Sequence, residues 1–405
     1  MNILFVADVS IADVIGGAER VLYEQSTRLV LRGYDVSIMT RHLPVYQNQN
    51  EQIKGIKEWR YEINQSNAIS YLKSIWKNSK ILFESLQHQH QFDVIIFEQP
   101  FSALGVVKSS LSRNVKKLYV CHSLSFEEYI SRNKKPDQFL KQIAYKLNVA
   151  FRKFIEKKAL NSSEKIIVLS QFTIDKLNKA YKIPAEKFSI VPGGVDLNRF
   201  RPALSNVEIR KTLQLAEDSV ILFTVRNLVP RMGLENLIQA IAQVVKEAPD
   251  VFLVIGGTGP LKEQLAALAK NLNLQDHIRF DGFIPEERLP DYYRMADLFI
   301  LPTRELEGFG LVTLEAMASG TPVLGTPVGG TQEILGQFDP GFLFKDTSPE
   351  SMAQLILEKY QEMNNDPEKW QEIRKKCRRF VEENYSWDRH VDALEAFINN
   401  NSVSP

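Results

Sequence analysis

Short apolar runs alternate with helical patterns along the first half of the chain. The helical stretches, among them Ala18 to Leu31 and Phe139 to Leu160, space their apolar residues by three and four positions. Short continuous apolar runs are typical of strands that are buried on both faces of a parallel sheet. We therefore predict buried strands at Ile3 to Ala7, Val36 to Met39, Val94 to Phe97, Leu118 to Cys121 and Ile166 to Leu169.

The second half repeats this alternation. Helical patterns such as Leu234 to Lys246 and Leu261 to Leu272 separate further apolar runs. The predicted strands are Val220 to Val225, Val251 to Ile255, Ile278 to Phe280, Leu298 to Leu301 and Val323 to Gly325. Because alternating strands and helices form parallel sheets with helices on both faces, the pattern predicts an α/β protein.

The length of 405 residues suits two domains rather than one. The polar, proline-containing stretch from Asp196 to Ser205 is the best candidate for an interdomain linker. We predict domains at residues 1–198 and 205–385, followed at 386–405 by an amphipathic helix and a tail.

Composition excludes several classes of protein. Cys121 and Cys377 are too few for a disulfide framework, and their spacing fits no zinc site. The N-terminus, MNILFVADVS, has no cationic region before its apolar run, which indicates a strand and not a signal peptide. No stretch approaches the roughly 18 apolar residues of a membrane span. We expect a cytoplasmic protein with no nucleic-acid partner.

Charge is unevenly distributed along the chain. Residues 1–198 contain 28 Lys and Arg against 19 Asp and Glu, whereas the remainder contains 22 against 30. Such a split between halves can indicate a charged partner for the basic half.

Candidate chemistry follows the predicted strands. Ligands of open α/β sheets bind beyond the carboxyl ends of the strands. Gly16 and Gly17 lie in the loop after the first strand, and His122 directly follows LYVC. In the second half, Arg226 directly follows ILFTV, and Gly257 comes shortly after FLVI.

The stretch from Leu301 to Leu335 carries the clearest signal of a site. Glu307 and Glu315 lie eight residues apart around a Gly-Phe-Gly turn that leads into a helical pattern. A second glycine turn, at Gly329 and Gly330, precedes another helical pattern. Unpaired amides and the helix dipole at such starts can hold phosphate, and nearby carboxylates can accept hydrogen bonds from sugar hydroxyls. The stretch therefore predicts a nucleotide-sugar site.

A family resemblance rests on this stretch and four others. The run EGFGLVTLE resembles the E-x7-E motif of retaining glycosyltransferases of the group 1 type (family 4), which have the GT-B fold. The other stretches, in the family's order, are GGAERVLYEQSTRLVLRGYDV, VPGGVDLNRFRP, VRNLVPRMGLENLIQA and GGTGPLKEQL. The resemblance covers nearly the whole chain. It implies two Rossmann-like domains facing each other across a cleft, with the last helix crossing back to the N-terminal domain.

The resemblance also implies roles for individual residues. Glu315 would bind the nucleotide ribose, and Glu307 would contact the transferred sugar near its reacting face. Arg226 and Arg231 would neutralise the charge developing on the diphosphate, a task that suits the bidentate guanidinium group. The family typically has lysine where this chain has Arg231, so charge is retained there but geometry is not. His122 would orient the sugar and the acceptor.

The remaining predicted donor-binding residues are mostly glycines. Gly16 and Gly17 would let the backbone approach the diphosphate or the acceptor closely, and the segment containing Phe283 would contact the base through backbone atoms. The stretch GGTGPLKEQL lacks the full dinucleotide-binding pattern, so a dinucleotide is not expected there. The other members of the set are Gly257, Gly308, Phe309, Gly310, Leu311, Gly329 and Gly330.

Purely structural interpretations stay open for these residues. Glu307 and Glu315 could be ordinary helix-surface acids. Arg226 and Arg231 could be surface arginines, and a lone histidine such as His122 is often structural.

The predicted function is a retaining transfer of a hexose-type sugar from a nucleotide-diphosphate sugar to an acceptor hydroxyl. The acceptor would be a glycan, a lipid-linked molecule or a small molecule. No Asp-x-Asp occurs and no His/Cys cluster has metal-ligand spacing, so we predict metal-independent chemistry without a cofactor. The resemblance implies front-face substitution, in which a departing phosphate oxygen takes the acceptor's proton. The alternatives are another GT-B enzyme, such as a sugar-nucleotide epimerase or a phosphorylase, and a non-catalytic sugar-nucleotide-binding protein.

A basic run from Arg132 to Lys165 contains ten Lys and Arg but three Asp and Glu. Its apolar residues, at helical spacing, are Phe139, Leu140, Ile143, Leu147, Phe151, Phe154 and Ile155. In one interpretation this apolar face packs on the N-terminal sheet and the charges are merely solvated. In the other, the helix lies on an anionic membrane surface. The basic N-terminal half favours a peripheral membrane enzyme acting on a lipid-linked or cell-surface glycan precursor.

Overall fold

The structure is a computed structural model that describes residues 1–12, 16–133 and 135–399. The chain forms two compact units. Unit 1 consists of Met1–Pro192 together with the C-terminal segment that begins at Trp387, and unit 2 consists of Gly193–Ser386.

Unit 1 is built on an eight-stranded sheet in the order β3-β4-β2-β1-β5-β6-β7-β8. All neighbours pair in parallel except β3 with β4. The strands are β1 (Asn2–Val6), β2 (Asp35–Arg41), β3 (Asn50–Ile53), β4 (Ile56–Tyr61), β5 (Val94–Phe97), β6 (Lys116–Cys121), β7 (Lys165–Val168) and β8 (Phe188–Ile190). The first six helices of the unit are α1 (Gly17–Leu31), α2 (Ala68–His90), α3 (Pro100–Val107), α4 (Ser125–Arg132), α5 (Phe139–Ser162) and α6 (Gln171–Tyr181).

The strands at the centre of this sheet are those that the apolar runs predict. Ile3 of β1 pairs with Val36 of β2 on one side and with Val94 of β5 on the other. Every residue of β5 is buried, as are the last four of β1. Their uninterrupted apolar sequences match the burial of both faces of a parallel sheet.

The apolar pattern does not predict the hairpin formed by β3 and β4. Lys54 and Gly55 connect these strands, and both have positive φ angles, of 51° and 84°. Such two-residue turns match the twist of an antiparallel pair. The edge strand β3 has the sequence NEQI, and its polar residues need no buried face.

Unit 2 contains a five-stranded parallel sheet in the order β11-β10-β9-β12-β13. Its strands are β9 (Val220–Val225), β10 (Val251–Gly256), β11 (Ile278–Gly282), β12 (Leu298–Leu301) and β13 (Val323–Gly325). Its helices are α7 (Val207–Thr212), α8 (Leu234–Val244), α9 (Lys262–Asn271), α10 (Leu289–Met295), α11 (Leu311–Ala318), α12 (Gly329–Phe338), α13 (Pro349–Asn365) and α14 (Pro367–Asn384). The strand order reverses between β9 and β12, the point at which doubly wound sheets bind ligands. Each unit is thus Rossmann-like, as predicted.

The last helix, α15 (Trp387–Ile398), packs on α1 and so belongs to unit 1. Its apolar side chains, among them Trp387 and Leu394, are buried. Arg32 of α1 forms ion pairs with Asp392 and Glu395, the first at 2.7 Å. The prediction that the C-terminal helix returns to the N-terminal domain is confirmed.

Within the described parts of the chain, no helix combines the length and the apolar character needed to span a membrane.

Candidate functional site

The predicted residues of unit 2 gather at the carboxyl ends of β9 and β12. Arg226 directly follows β9, and β12 runs into the loop of residues 302–310, which ends where α11 begins. We call this segment the acidic loop. It therefore lies at the reversal of strand order, where the topology favours a ligand site.

Arg226 and Glu307 form an ion pair at the centre of this region. Thr303 joins them, because its hydroxyl lies 3.1 Å from Nη2 of Arg226 and donates to Oε2 of Glu307 at 3.0 Å. The guanidinium of Arg226 also contacts Sδ of Met232 at 2.9 Å. Both charged side chains are buried, so the pair holds one orientation and compensates its own charge.

Arg231 is attached to the acidic loop rather than extended into solvent. Its Nη1 donates to the carbonyl oxygen of Leu306 at 3.0 Å, and its own carbonyl accepts from the amide of Arg304 at 2.8 Å. Leu306 has a φ of 57°, a left-handed conformation that costs an ordinary residue free energy. Backbone strain of this kind is concentrated at functional loops.

The second glycine turn packs directly on the acidic loop. Gly329 has a φ of 61°, and a Cβ there would clash with the carbonyl oxygen of Glu307. The amide of Gly330 donates to that same oxygen at 3.0 Å. Close backbone packing thus accounts for both glycines, and phosphate binding by this turn stays a prediction.

Beside the start of α11 lie two hydroxyls for which the described residues supply no hydrogen-bond partner. Gly308, Phe309 and Gly310 lead into Leu311, the first residue of the helix. The ring of Phe309 is buried against Tyr385, with ring centroids 6.0 Å apart, so its side chain serves packing. The two hydroxyls are those of Thr313 on α11 and Thr331 on α12. Both lie beside Gly310, and both are buried without a hydrogen-bond partner in the described chain.

Glu315 lies on α11, one turn beyond this start. Its Oε2 accepts a hydrogen bond from the hydroxyl of Tyr293 at 2.8 Å. Burial, reinforced by Glu315, raises the pKa of Tyr293 well above its usual range, so this phenol remains a donor. Glu315 itself is half-buried.

The ends of β10 and β11 complete the region. Gly257 lies against the carbonyl of Arg226, where a side chain would clash, and its amide donates to the carbonyl of Gly282 at 2.6 Å. The next residue, Phe283, has a side chain that is 60% exposed. A single exposed apolar side chain is ordinary on a protein surface, so contact between Phe283 and the base stays a prediction.

In unit 1, His122 follows β6 and is paired with Glu98, which follows β5. Nε2 of His122 lies 2.6 Å from Oε2 of Glu98. Burial raises the pKa of the Glu98 carboxyl, although His122 acts in the opposite direction. The other oxygen, Oε1, has no partner within the described residues. The pair fixes the orientation of the imidazole, as carboxylate partners of histidine commonly do.

Gly16 and Gly17 form the N-cap and the first residue of α1. A Cβ on Gly16 would lie 2.6 Å from the carboxylate of Glu19, whose flexible side chain can move. The structure describes no other neighbour that demands glycine at position 16. Residues 13–15, just before this cap, lie outside the described part of the chain.

The structure therefore brings Arg226, Arg231 and Glu307 together with the glycine turns in unit 2, while His122, Gly16 and Gly17 belong to unit 1. The sequence analysis missed Thr303, Tyr293 and Glu98. Thr303 and Glu98 could have been found, because each follows a buried strand within two residues. Within the described chain, no group of three or more His, Cys, Asp or Glu could hold a metal ion.

Two family models match the chain. The Glycosyltransferase Family 4 model matches residues 15–199, and the Glycosyl transferases group 1 model matches residues 205–387. Together they account for nearly all of it, so the chain belongs to the group 1 glycosyltransferases, as its motifs predict.

The chain is similar to a GDP-mannose-dependent alpha-(1-6)-phosphatidylinositol monomannoside mannosyltransferase from Mycobacterium tuberculosis. The two are 32% identical over 205 residues, which is 49% of this chain and 53% of that protein. A mannosylfructose-phosphate synthase from Agrobacterium fabrum is 26% identical over 341 residues, or 78% and 72% of the two chains. The chain thus spans about half the length of the mycobacterial relative that it matches.

Solved structures resemble the whole chain. A sucrose-phosphate synthase from Thermosynechococcus elongatus has a TM-score of 0.81 at 22% identity, covering 98% of each chain. A glycosyltransferase from Rickettsia africae has a TM-score of 0.76 at 21% identity, covering 99% of each. At these identities the likeness shows the fold, which is the GT-B fold.

Proposed function

We propose that the chain is a retaining glycosyltransferase that moves a hexose-type sugar from a nucleotide-diphosphate sugar to an acceptor hydroxyl. The observation that carries this proposal is the buried pair of Arg226 and Glu307 beside the start of α11. A cation, a carboxylate and a helix N-terminus lie together where the strand order of the sheet reverses. Such groups suit the binding of a sugar diphosphate.

The donor diphosphate is proposed to bind between Arg226, Arg231 and the start of α11. Helix amides and the dipole favour anionic oxygens there. The hydroxyls of Thr313 and Thr331 find no partner among the described residues, which supports this assignment because buried polar atoms normally have one. These same positive groups would stabilise the leaving diphosphate, and so we propose that the reaction needs no metal and no cofactor.

The nucleoside is proposed to lie next to Glu315 and Phe283. The Glu315 carboxylate, whose Oε2 accepts from the hydroxyl of Tyr293, would accept further hydrogen bonds from the ribose hydroxyls. The exposed ring of Phe283 and the backbone at Gly257 would contact the base.

The chemical step is proposed to be a front-face substitution. The bond from the anomeric carbon to the acceptor oxygen forms on the side from which the diphosphate leaves, so configuration is retained. The acceptor's proton goes to the departing phosphate oxygen. Glu307, held by Arg226, would contact the transferred sugar, and His122, held by Glu98, would orient sugar and acceptor.

The relatives support a hexose donor but leave the base open. The mycobacterial relative is named for GDP-mannose and phosphatidylinositol monomannoside, whereas a structural neighbour from Anabaena was solved with UDP-glucose. The acceptor here is proposed to be a glycan, a lipid-linked molecule or a small molecule.

Nucleotide binding offers the first test. Thermal unfolding with UDP, GDP or ADP should show one stabilising ligand, worth about 2.7 kcal/mol at 100 times its dissociation constant. Glu315→Ala should then weaken that nucleotide by roughly ten- to a hundredfold, because it removes hydrogen bonds to a charged acceptor. Glu307→Gln should lower turnover more than nucleotide affinity.

Glu305→Gln is the matched control, because Glu305 is an exposed acid of the same loop. It should leave both measurements unchanged. Equal nucleotide affinity in the wild type and in Glu315→Ala would exclude the ribose assignment. Tight binding with neither transfer nor donor hydrolysis would instead favour a non-catalytic sugar-nucleotide-binding protein.

A further inference from the structure

Helix α5 is held to unit 1 by one face. Ile155, Glu156, Ala159 and Leu160 are buried near its C-terminal end. One turn earlier on the same helix, the guanidinium of Arg152 lies 4.8 Å from the ring centroid of Phe101 on α3 and 4.7 Å from that of Tyr129 on α4. These contacts hold the helix on unit 1, and the opposite face of the helix takes no part in them.

That opposite face is apolar and exposed. Phe139, Leu140 and Leu147 are 75%, 78% and 65% exposed, and Ile143 and Phe154 are also exposed. At 100° per residue these five side chains share one side of the helix. We call them the outer face of α5. A continuous apolar surface of this kind is rare on a soluble protein and indicates an interaction site. Of the apolar residues in the predicted pattern, only Ile155 is buried and Phe151 is half-buried, so most of them do not pack on the rest of unit 1.

The exposed charges that α5 itself carries are all positive. Lys141, Lys146, Lys153, Lys157 and Lys158 of α5 are exposed. The single acid of the helix, Glu156, is buried, where it accepts from the amide of Ser125 and the hydroxyl of Tyr181. Helix α5 thus presents apolar side chains and cations, and no exposed acid.

We propose that the outer face of α5 docks on an anionic lipid surface. Large apolar side chains flanked by lysines are the two elements of an interfacial helix: the side chains enter the boundary of the acyl chains, and the ammonium groups meet the lipid phosphates. This inference concerns binding alone and does not depend on the proposed reaction.

Charge argues against a second copy of the chain as the occupant. A two-fold contact through the outer face would place the same surface of two copies together. Lysines such as Lys146 and Lys157 would then approach their own counterparts with no exposed acid of α5 to balance them. An anionic lipid surface supplies the missing negative charge.

The test uses the full chain and two kinds of vesicle, one of phosphatidylcholine and one of equal parts phosphatidylcholine and phosphatidylglycerol. Co-sedimentation should show binding to the second and little to the first. Binding should weaken as sodium chloride rises, because the screening length falls from about 10 Å at 0.1 M to about 3 Å at 1 M.

Two variants locate the surface. Leu140→Ser with Leu147→Ser should reduce vesicle binding at least tenfold, as should Lys146→Glu with Lys157→Glu. Because all four side chains are exposed, neither variant should alter thermal unfolding. The matched control for charge is Lys262→Glu with Lys270→Glu on α9, which should bind vesicles as the wild type does.

Three results would overturn the proposal. The first is no binding of the wild type to anionic vesicles at low salt. The second is equal binding by the wild type and the Leu140 and Leu147 variant. The third is a wild type that sediments as a dimer and becomes a monomer in that variant, since the occupant would then be a second copy. None of these bears on nucleotide binding, which tests the proposed function separately.

Discussion

The side chains of Arg226 and Glu307 are 7% and 10% exposed, and each provides the charge that balances the other. Taking a charge out of water is costly, and the cost is offset only while the partner remains. Removing either residue alone should therefore destabilise unit 2 as well as impair the proposed chemistry. An inactive single variant would not separate the two roles.

A double variant separates them. Arg226→Ala should lower the free energy of unfolding by about 3–5 kcal/mol, because Glu307 is left buried and unpaired. Arg226→Met combined with Glu307→Leu should recover much of this loss, since no buried charge remains, but should stay inactive. Urea unfolding and transfer assays measure the two quantities. Arg304→Ala, at an exposed arginine of the acidic loop, is the control. Full activity of the double variant would limit the pair to a structural role.

At the scale of elements, α15 is tied to unit 1 by a buried histidine. Nδ1 of His390 contacts the carbonyl oxygen of Pro192 at 2.8 Å, and its Nε2 contacts the side-chain nitrogen Nε2 of Gln25 at 2.8 Å. These partners suit a neutral ring that donates from Nδ1 and accepts at Nε2. Burial lowers the pKa of His390 from 6.5 to about 4.

This shift makes the packing of α15 sensitive to acid. A folded-state pKa below the unfolded one means that only the unfolded chain gains the proton between pH 6.5 and about 4. Stability should therefore be complete above pH 6.5 and fall by about 3 kcal/mol as the pH drops to about 4. Urea unfolding followed by tryptophan fluorescence would detect this, because Trp387 lies against His390. His390→Gln should flatten the dependence in that range, whereas His277→Gln in unit 2 should not. An unchanged profile in His390→Gln would assign the acid sensitivity to other groups.

Elements and contacts differ in how far the sequence predicts them. The buried strands were predictable because each is a continuous apolar run, whereas β3 is polar and its pairing depends on the turn at Lys54 and Gly55. In the site, Arg226 and Glu307 were predictable from their positions after strands and within a motif. Their ion pair was not, because 81 residues separate them and only the folded sheet brings them together.

At the scale of the whole molecule, we expect activity without a divalent cation. Two arginines and a helix N-terminus are proposed to neutralise the diphosphate, so chelation by EDTA should leave turnover essentially unchanged. The measurement is sugar transfer, or donor hydrolysis, before and after chelation and gel filtration. Adding magnesium or manganese to the chelated enzyme should have little effect. Complete loss on chelation, restored by either cation, would contradict the proposal.

The docking of α15 on α1 makes unit 1 discontinuous along the chain, while unit 2 is one uninterrupted segment, Gly193–Ser386. A ribosome therefore delivers everything that unit 2 needs before it delivers α15. Until then, the surface of α1 on which α15 packs has no cover. The domain that is begun first is thus completed last, and a nascent chain passes through a stage in which unit 2 can fold while unit 1 still exposes apolar surface to chaperones and proteases.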